Sequence, residues 1–406
     1  MLDAPSAPVL AEHPRMVRGL LNVAHALDHL FLLIFAAAVT SVAADMQVAQ
    51  WQDLMPYGAG AFFMFGLGSL PAGRLGDLWG RRSMMLVFFF GIGAASILTA
   101  FTQSVWQLAA SLTLIGVFAS IYHPVGIPML LERSAQPGAT IGFNGLVGNL
   151  GVAVAALLTG FLIQAWGWRA AFIVPGLVAW ICGFLFLQHC PPEATAPAQR
   201  KGGAKVSLPP ALLAKALVVM TVAAVTSSVL FNFTTNGNGQ LLTERFQNVM
   251  QDPAMLGMLL AVVYAIASVA QVVVGHWIQR FPLKTFFRFM VLCQIPMLVL
   301  ASQAQGWWLF AALIGVMVFI FGAIPFTDFM VARYVDDRMR SRVSGMRLGV
   351  SFAVSSLSVW ALGPLVKAMG FGNALLGLAA FSLLTVLILS ALPSAAQEQA
   401  FTASPT

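Results

Sequence analysis

Three titratable side chains, His25, Asp28 and His29, stand at i, i+3 and i+4 inside an apolar stretch of a 406-residue chain. On a helix this spacing puts His25 on a common face with both of the others. A carboxylate beside two imidazoles exchanges protons near physiological pH, because each group alters the others' affinity. Proton coupling is one reading; packing and interfacial hydrogen bonding near a helix end is the other. Further residues invite chemistry. Asp328 and Arg347 bring opposite charges into two later apolar segments, either as a static ion pair or as a contact that opens for an anionic ligand. His123 precedes Pro124, which frees backbone carbonyls and kinks a helix around a cavity. Asn149 sits between Gly148 and Gly151, a pattern suited to bonding a ligand or to close helix packing. Asn232 and Asn236 belong to a polar, glycine-interrupted run through Asn238 to Gln240, which fits either an unwound helix lining a pathway or the frayed end of one.

The scaffold that must hold these groups is apolar throughout. Apolar residues make up 59% of the chain and charged residues 9%, and the mean hydropathy is +0.86, outside the range of soluble domains. A charge at mid-bilayer costs about 2.5–3.5 kcal/mol on insertion scales, so the acids and bases above need partners or a cavity. Stretches near the roughly 20 apolar residues of a spanning helix recur with short breaks. Twelve are predicted, over 19–43, 55–75, 84–102, 107–131, 140–163, 168–188, 212–238, 255–279, 284–303, 307–331, 343–366 and 370–392. Residues 190–211, rich in Pro, Ala, Gly and Lys, form a linker between an N-terminal half (19–189) and a C-terminal half (212–392). Tails of 1–18 and 393–406 flank them. The first span is too long for a cleavable signal.

Seventeen Lys and Arg residues fall on the side of the two termini and three on the other, with Arg347 inside a span. The positive-inside rule then predicts cytoplasmic termini, and this bias accounts for the net charge of +7 without nucleic-acid binding. Cys182, Cys190 and Cys293 lack metal-site or disulfide spacing. A weak internal repeat joins LIGVFASIYHPVGIPMLLE from Leu114 to LIGVMVFIFGAIPFTDFMV from Leu313. Parallel halves with a ligand near the membrane midplane are the expected architecture.

The loop Gly73-Arg74-Leu75-Gly76-Asp77-Leu78-Trp79-Gly80-Arg81-Arg82 resembles the signature loop of the major facilitator superfamily, with Leu78 where a basic residue is usual. Gly275 to Arg280 is a degraded second copy, with Gln279 at the acid's place, and Gly167-Trp168-Arg169-Ala170-Ala171-Phe172 is another phrase similar to the family's. His123-Pro124 and Gly148-Asn149-Leu150-Gly151 resemble the fosmidomycin-resistance-type efflux branch. The resemblance implies an all-α fold of twelve transmembrane helices in two pseudo-symmetric halves. It also implies alternating-access transport of a small molecule across the bacterial inner membrane by a lone chain. Read physically, the loop's glycines permit close helix approach, and Asp77 can pair with a basic group in one state and release it in another. Gly73, Asp77, Gly80, Arg81 and Arg82 are therefore expected to gate. Met255 and Met258, among 19 Met, raise soft-metal transport, but Met is also ordinary apolar filling, and no metal site is predicted. No nucleophile–base set or phosphate-binding loop points to an enzyme or to ATP, and no cofactor is expected. An ion gradient is the remaining energy source. Efflux of an organic compound coupled to protons is the preferred expectation. Uptake of an organic anion or a metal, or a non-transporting receptor, are the alternatives.

Overall fold

The computed structural model describes residues 13–132, 134, 136–193, 210–278, 280–334 and 337–392. For 137, 138, 210–217, 328, 331–334 and 337–345 it describes the backbone alone. Residues 1–12 of the N-terminal tail, the C-terminal tail, most of the linker, Gln279 and the Asp328 side chain thus lie outside the described residues.

The described chain is helical. α1 runs Arg15–Asp45, α2 Ala59–Trp79 after a short lead-in from Trp51, and α3 Arg81–Ala100. α4 is Val105–Glu132. α5 spans Pro137–Trp166, α6 Trp168–His189, α7 Pro210–Arg245, α8 Pro253–Trp277, α9 Leu283–Gln303 and α10 Gly306–Tyr334. The last helical stretch, Asp337–Leu389, breaks at Gly370 (φ 76°, ψ 163°), which separates α11 (337–369) from α12 (371–389). Ten helices are long and apolar enough to cross a membrane by length and composition, the stretch Met346–Leu389 counting once. α2 completes the twelve spans; its five glycines, Pro71 and Arg74 dilute its hydropathy.

Two tight joints repeat in the halves. Gly167 (φ 82°) turns α5 into α6, and Gly370 turns α11 into α12. Each is a left-handed backbone that a side chain would strain. Because lipid tails are as apolar as leucine, helices here associate through small residues that bring backbones close. α2 lies on α11, where a methyl at Gly66 would meet Ala353 N at 2.6 Å. α5 lies on α8, where methyls at Gly160 and Gly257 would meet Pro253 O at 2.6 Å and Ala156 O at 2.5 Å. The halves therefore join along α2–α11 and α5–α8, as a pseudo-twofold relation between six-helix units requires.

We call the membrane face at which α1 begins the near face and the opposite one the far face. Inter-half polar contacts gather towards the far face. Lys367 Nζ lies 2.6 and 2.9 Å from the Asp53 carboxylate, Gln164 Nε2 donates to Asp252 Oδ2 at 2.9 Å, and Thr40 Oγ1 donates to Gln240 Oε1 at 2.8 Å. These contacts tie the two halves together at the far face. Lys367 and Asp53 are 47% and 44% exposed, so their pair contributes at most about 1 kcal/mol. Lys367→Gln is expected to shift the closed-to-open ratio about fivefold or less, read as spin-label distances between the far ends of α1 and α7. Distances unchanged both by the substitution and by high salt would mean the pair has no part in closure.

The seventh span departs from both sequence expectations. α7 is neither unwound nor frayed from Asn232 to Gln240; it is one continuous helix to Arg245, with Asn232, Asn236, Asn238 and Gln240 all buried.

Candidate functional site

α1 begins at Arg15, four residues before the expected span, and so carries His25, Asp28 and His29 deep into the bundle rather than near its end. Asp28 is 0% exposed. Its neighbour comes from α4. There the helix is interrupted, and Tyr122–Gly126 forms a π-helical turn around Pro124, a distortion frequent at functional sites. The turn aims His123 at α1, and His123 Nε2 stands 3.5 Å from Asp28 Oδ2. The His25 ring centroid lies 5.0 Å from that of His29 and 5.0 Å from that of His123. Tyr122 stacks on His25 at 4.8 Å.

α5 supplies the backing. His25 Nδ1 donates to the Asn144 carbonyl at 2.8 Å. Asn144 Nδ2 in turn donates to Tyr122 Oη at 2.8 Å and to Asn22 Oδ1 at 3.0 Å. This approach depends on the Gly-Asn-Leu-Gly run: a methyl at Gly148 would lie 2.5 Å from the His25 ring, and one at Gly151 would collide with the Ala26 carbonyl. α2 closes the remaining side. Gly73 and Gly76 of the signature loop let it lie against Pro124 and Val125, so those glycines position the turn that carries His123. The Phe65 ring of α2 stands edge-on to His123 at 5.6 Å and to Phe352 of α11 at 4.6 Å. The cluster is thus one aromatic ring away from the joint between the halves.

The structure brings to the trio His25, Asp28 and His29 a fourth residue, His123, which the sequence placed in a separate group. Tyr122, Asn144, Asn22 and Phe65 are further members that sequence reasoning missed; the available signal was a polar or aromatic residue within an otherwise apolar span. Asn149 is buried beside the cluster's backing and its Nδ2 has no hydrogen-bond partner. Asn236 lines a cavity of about 20 Å³ between α1, α5, α7 and α8, with Thr235 and Tyr264, room for about one water. Asn232 instead bonds Ser228 O and Ser355 Oγ, tying α7 to α11. Arg347 is 6% exposed on α11.

The loop residues divide by role. Gly80 is left-handed (φ 93°) and turns α2 into α3. Arg81 pairs with Glu132 at 2.7 Å, while Arg82 donates to the Cys190 and Leu187 carbonyls at 2.6 and 3.0 Å. Both arginines thus serve the ends of α4 and α6, favourable sites for cations, within one half. Among the described residues Asp77 makes no hydrogen bond or ion pair.

The sequence pattern of the Major Facilitator Superfamily matches residues 21–250, more than half of the chain. The chain belongs to this superfamily of membrane transporters. It is 29% identical over 195 residues to the probable actinorhodin transporter of Streptomyces coelicolor, covering 45% of this chain and 32% of that one. It is 29% identical over 161 residues to the tetracenomycin C resistance and export protein of Streptomyces glaucescens (38% and 29% covered). With the 4-hydroxybenzoate transporter of Pseudomonas aeruginosa the identity is 26% over 176 residues (40% and 39% covered). The chain therefore spans roughly a third of the length of these relatives. A bacterial homologue of the human lysosomal transporter Spinster, in an inward-facing and occupied conformation, superposes with a TM-score of 0.70 at 14% identity over 95% of both chains. That likeness shows the twelve-helix fold.

Proposed function

We propose that this protein is a secondary transporter that exports a small organic compound by alternating access, coupled to protons through His25, Asp28 and His29, with His123 as the fourth member. One observation carries the reading: a fully buried carboxylate stands against one of three clustered imidazoles within the N-terminal bundle, and that imidazole, His123, leans on the ring that crosses to the other half. Ionisable groups are kept inside a span, at the cost noted above, where they serve an ion or substrate path. A change of charge on Asp28 alters its attraction for His123, and the Phe65–Phe352 contact offers a mechanical route to the α2–α11 joint. The asymmetric closure at the far face suits one state of such a cycle.

The charge bias supports cytoplasmic termini in a bacterial inner membrane, which makes the far face periplasmic and the closed state inward-facing. Halves at 19–189 and 212–392, joined by the 190–211 linker, are the rocking units, and one chain suffices for the pathway. Export is favoured by the likeness to the tetracenomycin C resistance and export protein and by the fosmidomycin-resistance-type motifs. Uptake of an organic anion is the second reading, favoured by Arg347 buried on α11 and by the likeness to a 4-hydroxybenzoate transporter. Its suggested partner, Asp328, is the charge that such an anion would replace.

The test is a ligand-stabilisation screen on the purified protein, then flux of each hit in proteoliposomes with and without an imposed pH gradient. Gradient-dependent accumulation is expected. Flux that ignores the gradient in either direction would remove proton coupling.

A further inference from the structure

We propose that His25, His29 and His123 form a binding site for a divalent transition-metal ion of the zinc class, with Asp28 standing against His123. The inference rests on reading this cluster as the transporter's cation site and names a second cation for it. Donor atoms of the three imidazoles lie within 4.8 Å of one another. In tetrahedral zinc sites, with bonds of about 2.0–2.1 Å, neighbouring donors stand roughly 3.3 Å apart. Asp28 lies outside that set, its Oδ2 3.5 Å from His123 Nε2. In the bound state proposed here the half-buried rings of His29 and His123 turn to shorten the imidazole edges to that length.

The hydrogen bonding of His25 points the same way independently. Its Nδ1 donates to the Asn144 carbonyl, so the neutral ring has its lone pair at Nε2, and that atom is buried without a hydrogen-bond partner. Metal-ligating histidines are held in this manner, with the second nitrogen on a carbonyl or carboxylate. Both Asp28 oxygens and His123 Nε2 are likewise buried without a hydrogen bond. Buried polar atoms are ordinarily bonded. One cation takes a nitrogen from each of His25, His29 and His123 and keeps its fourth position open, with Asp28 beside His123 to orient that ring.

The donor set also selects the ion. Three imidazole nitrogens suit zinc or cobalt(II), whereas magnesium and calcium take oxygen ligands and copper(I) takes thiolate or thioether. Met255 and Met258, the methionines that the sequence singled out, are exposed on α8 and take no part in this cluster.

The full chain, purified without a polyhistidine tag and stripped by a chelator, is titrated with Co²⁺. One ion per chain is expected, with the intense visible absorption of four-coordinate cobalt. His29→Gln and His123→Gln are each expected to weaken binding at least about tenfold. His189→Gln and His276→Gln should not, because those rings bond carbonyls of their own helices near the ends. Wild-type protein that takes up no stoichiometric Co²⁺, or shows only the weak spectrum of six-coordinate cobalt, overturns the proposal whether or not the variants fold. Undiminished binding in the His29→Gln, His123→Gln double variant overturns it as well. Proton coupling is judged separately: Co²⁺ binding together with gradient-independent flux sustains the metal site and removes the coupling, and coupled flux without Co²⁺ binding does the reverse.

Discussion

Asp28→Asn is expected to abolish gradient-driven accumulation while leaving downhill exchange of cargo in place. The amide keeps the side chain's size but cannot release and regain a proton. With one proton per cargo, a pH gradient of one unit corresponds to about 1.4 kcal/mol, or about tenfold accumulation of a neutral compound. In the variant that ratio should fall to one. A structural role makes a different forecast. Asp28 is buried 3.5 Å from His123, and breaking a buried charge pair typically costs about 3–5 kcal/mol; exchange and accumulation would then decline together with thermal stability. The two flux modes, measured at matched protein levels, separate these cases. Tenfold accumulation persisting in Asp28→Asn would eliminate the cluster as the coupling site and turn attention to Asp328.

How legible was this site? The spans were readable because bilayer thickness dictates the length of each apolar run, and α3 through α12 begin and end within a few residues of expectation except at the extended ends of α7 and α11. The relation of His25 to Asp28 and His29 was readable because it is local to one helix. The arrival of His123 was not, since it comes from a helix 98 residues further on and depends on how the π-helical turn at Pro124 rotates the side chain. That single placement adds a third imidazole to the two on α1, which is why no metal site was expected. The polar run of α7 misled for a related reason. Glycine and asparagine lower helix propensity, but here Asn232 and Asn236 return hydrogen bonds to carbonyls one turn back, Ser228 and Asn232. Packing among other helices, rather than lipid, surrounds these side chains, so tertiary burial overrode the local signal.

The final expectation concerns the backing helix and distinguishes a fitted ring from a fitted backbone. Gly148→Ala would set a methyl 2.5–2.6 Å from the Cε1, Nδ1 and Nε2 atoms of His25. The ring cannot yield easily, being bonded to the Asn144 carbonyl on one side and stacked on Tyr122 on another. Overpacking of this kind costs about 1–3 kcal/mol, and it should appear as a lowered melting temperature in detergent together with loss of accumulation. His25→Ala removes the obstacle. The double variant Gly148→Ala, His25→Ala should therefore melt closer to wild type than Gly148→Ala does, while remaining unable to couple flux to the gradient. Gly151→Ala collides instead with the Ala26 carbonyl of α1, and no side-chain truncation on α1 relieves a clash with backbone. Its loss of stability should persist in the His25→Ala background, with the two changes adding independently. If Gly148→Ala melts like wild type, or if His25→Ala rescues both glycine variants equally, then α5 is not packed on the His25 ring as described and the geometry of the cation site is wrong.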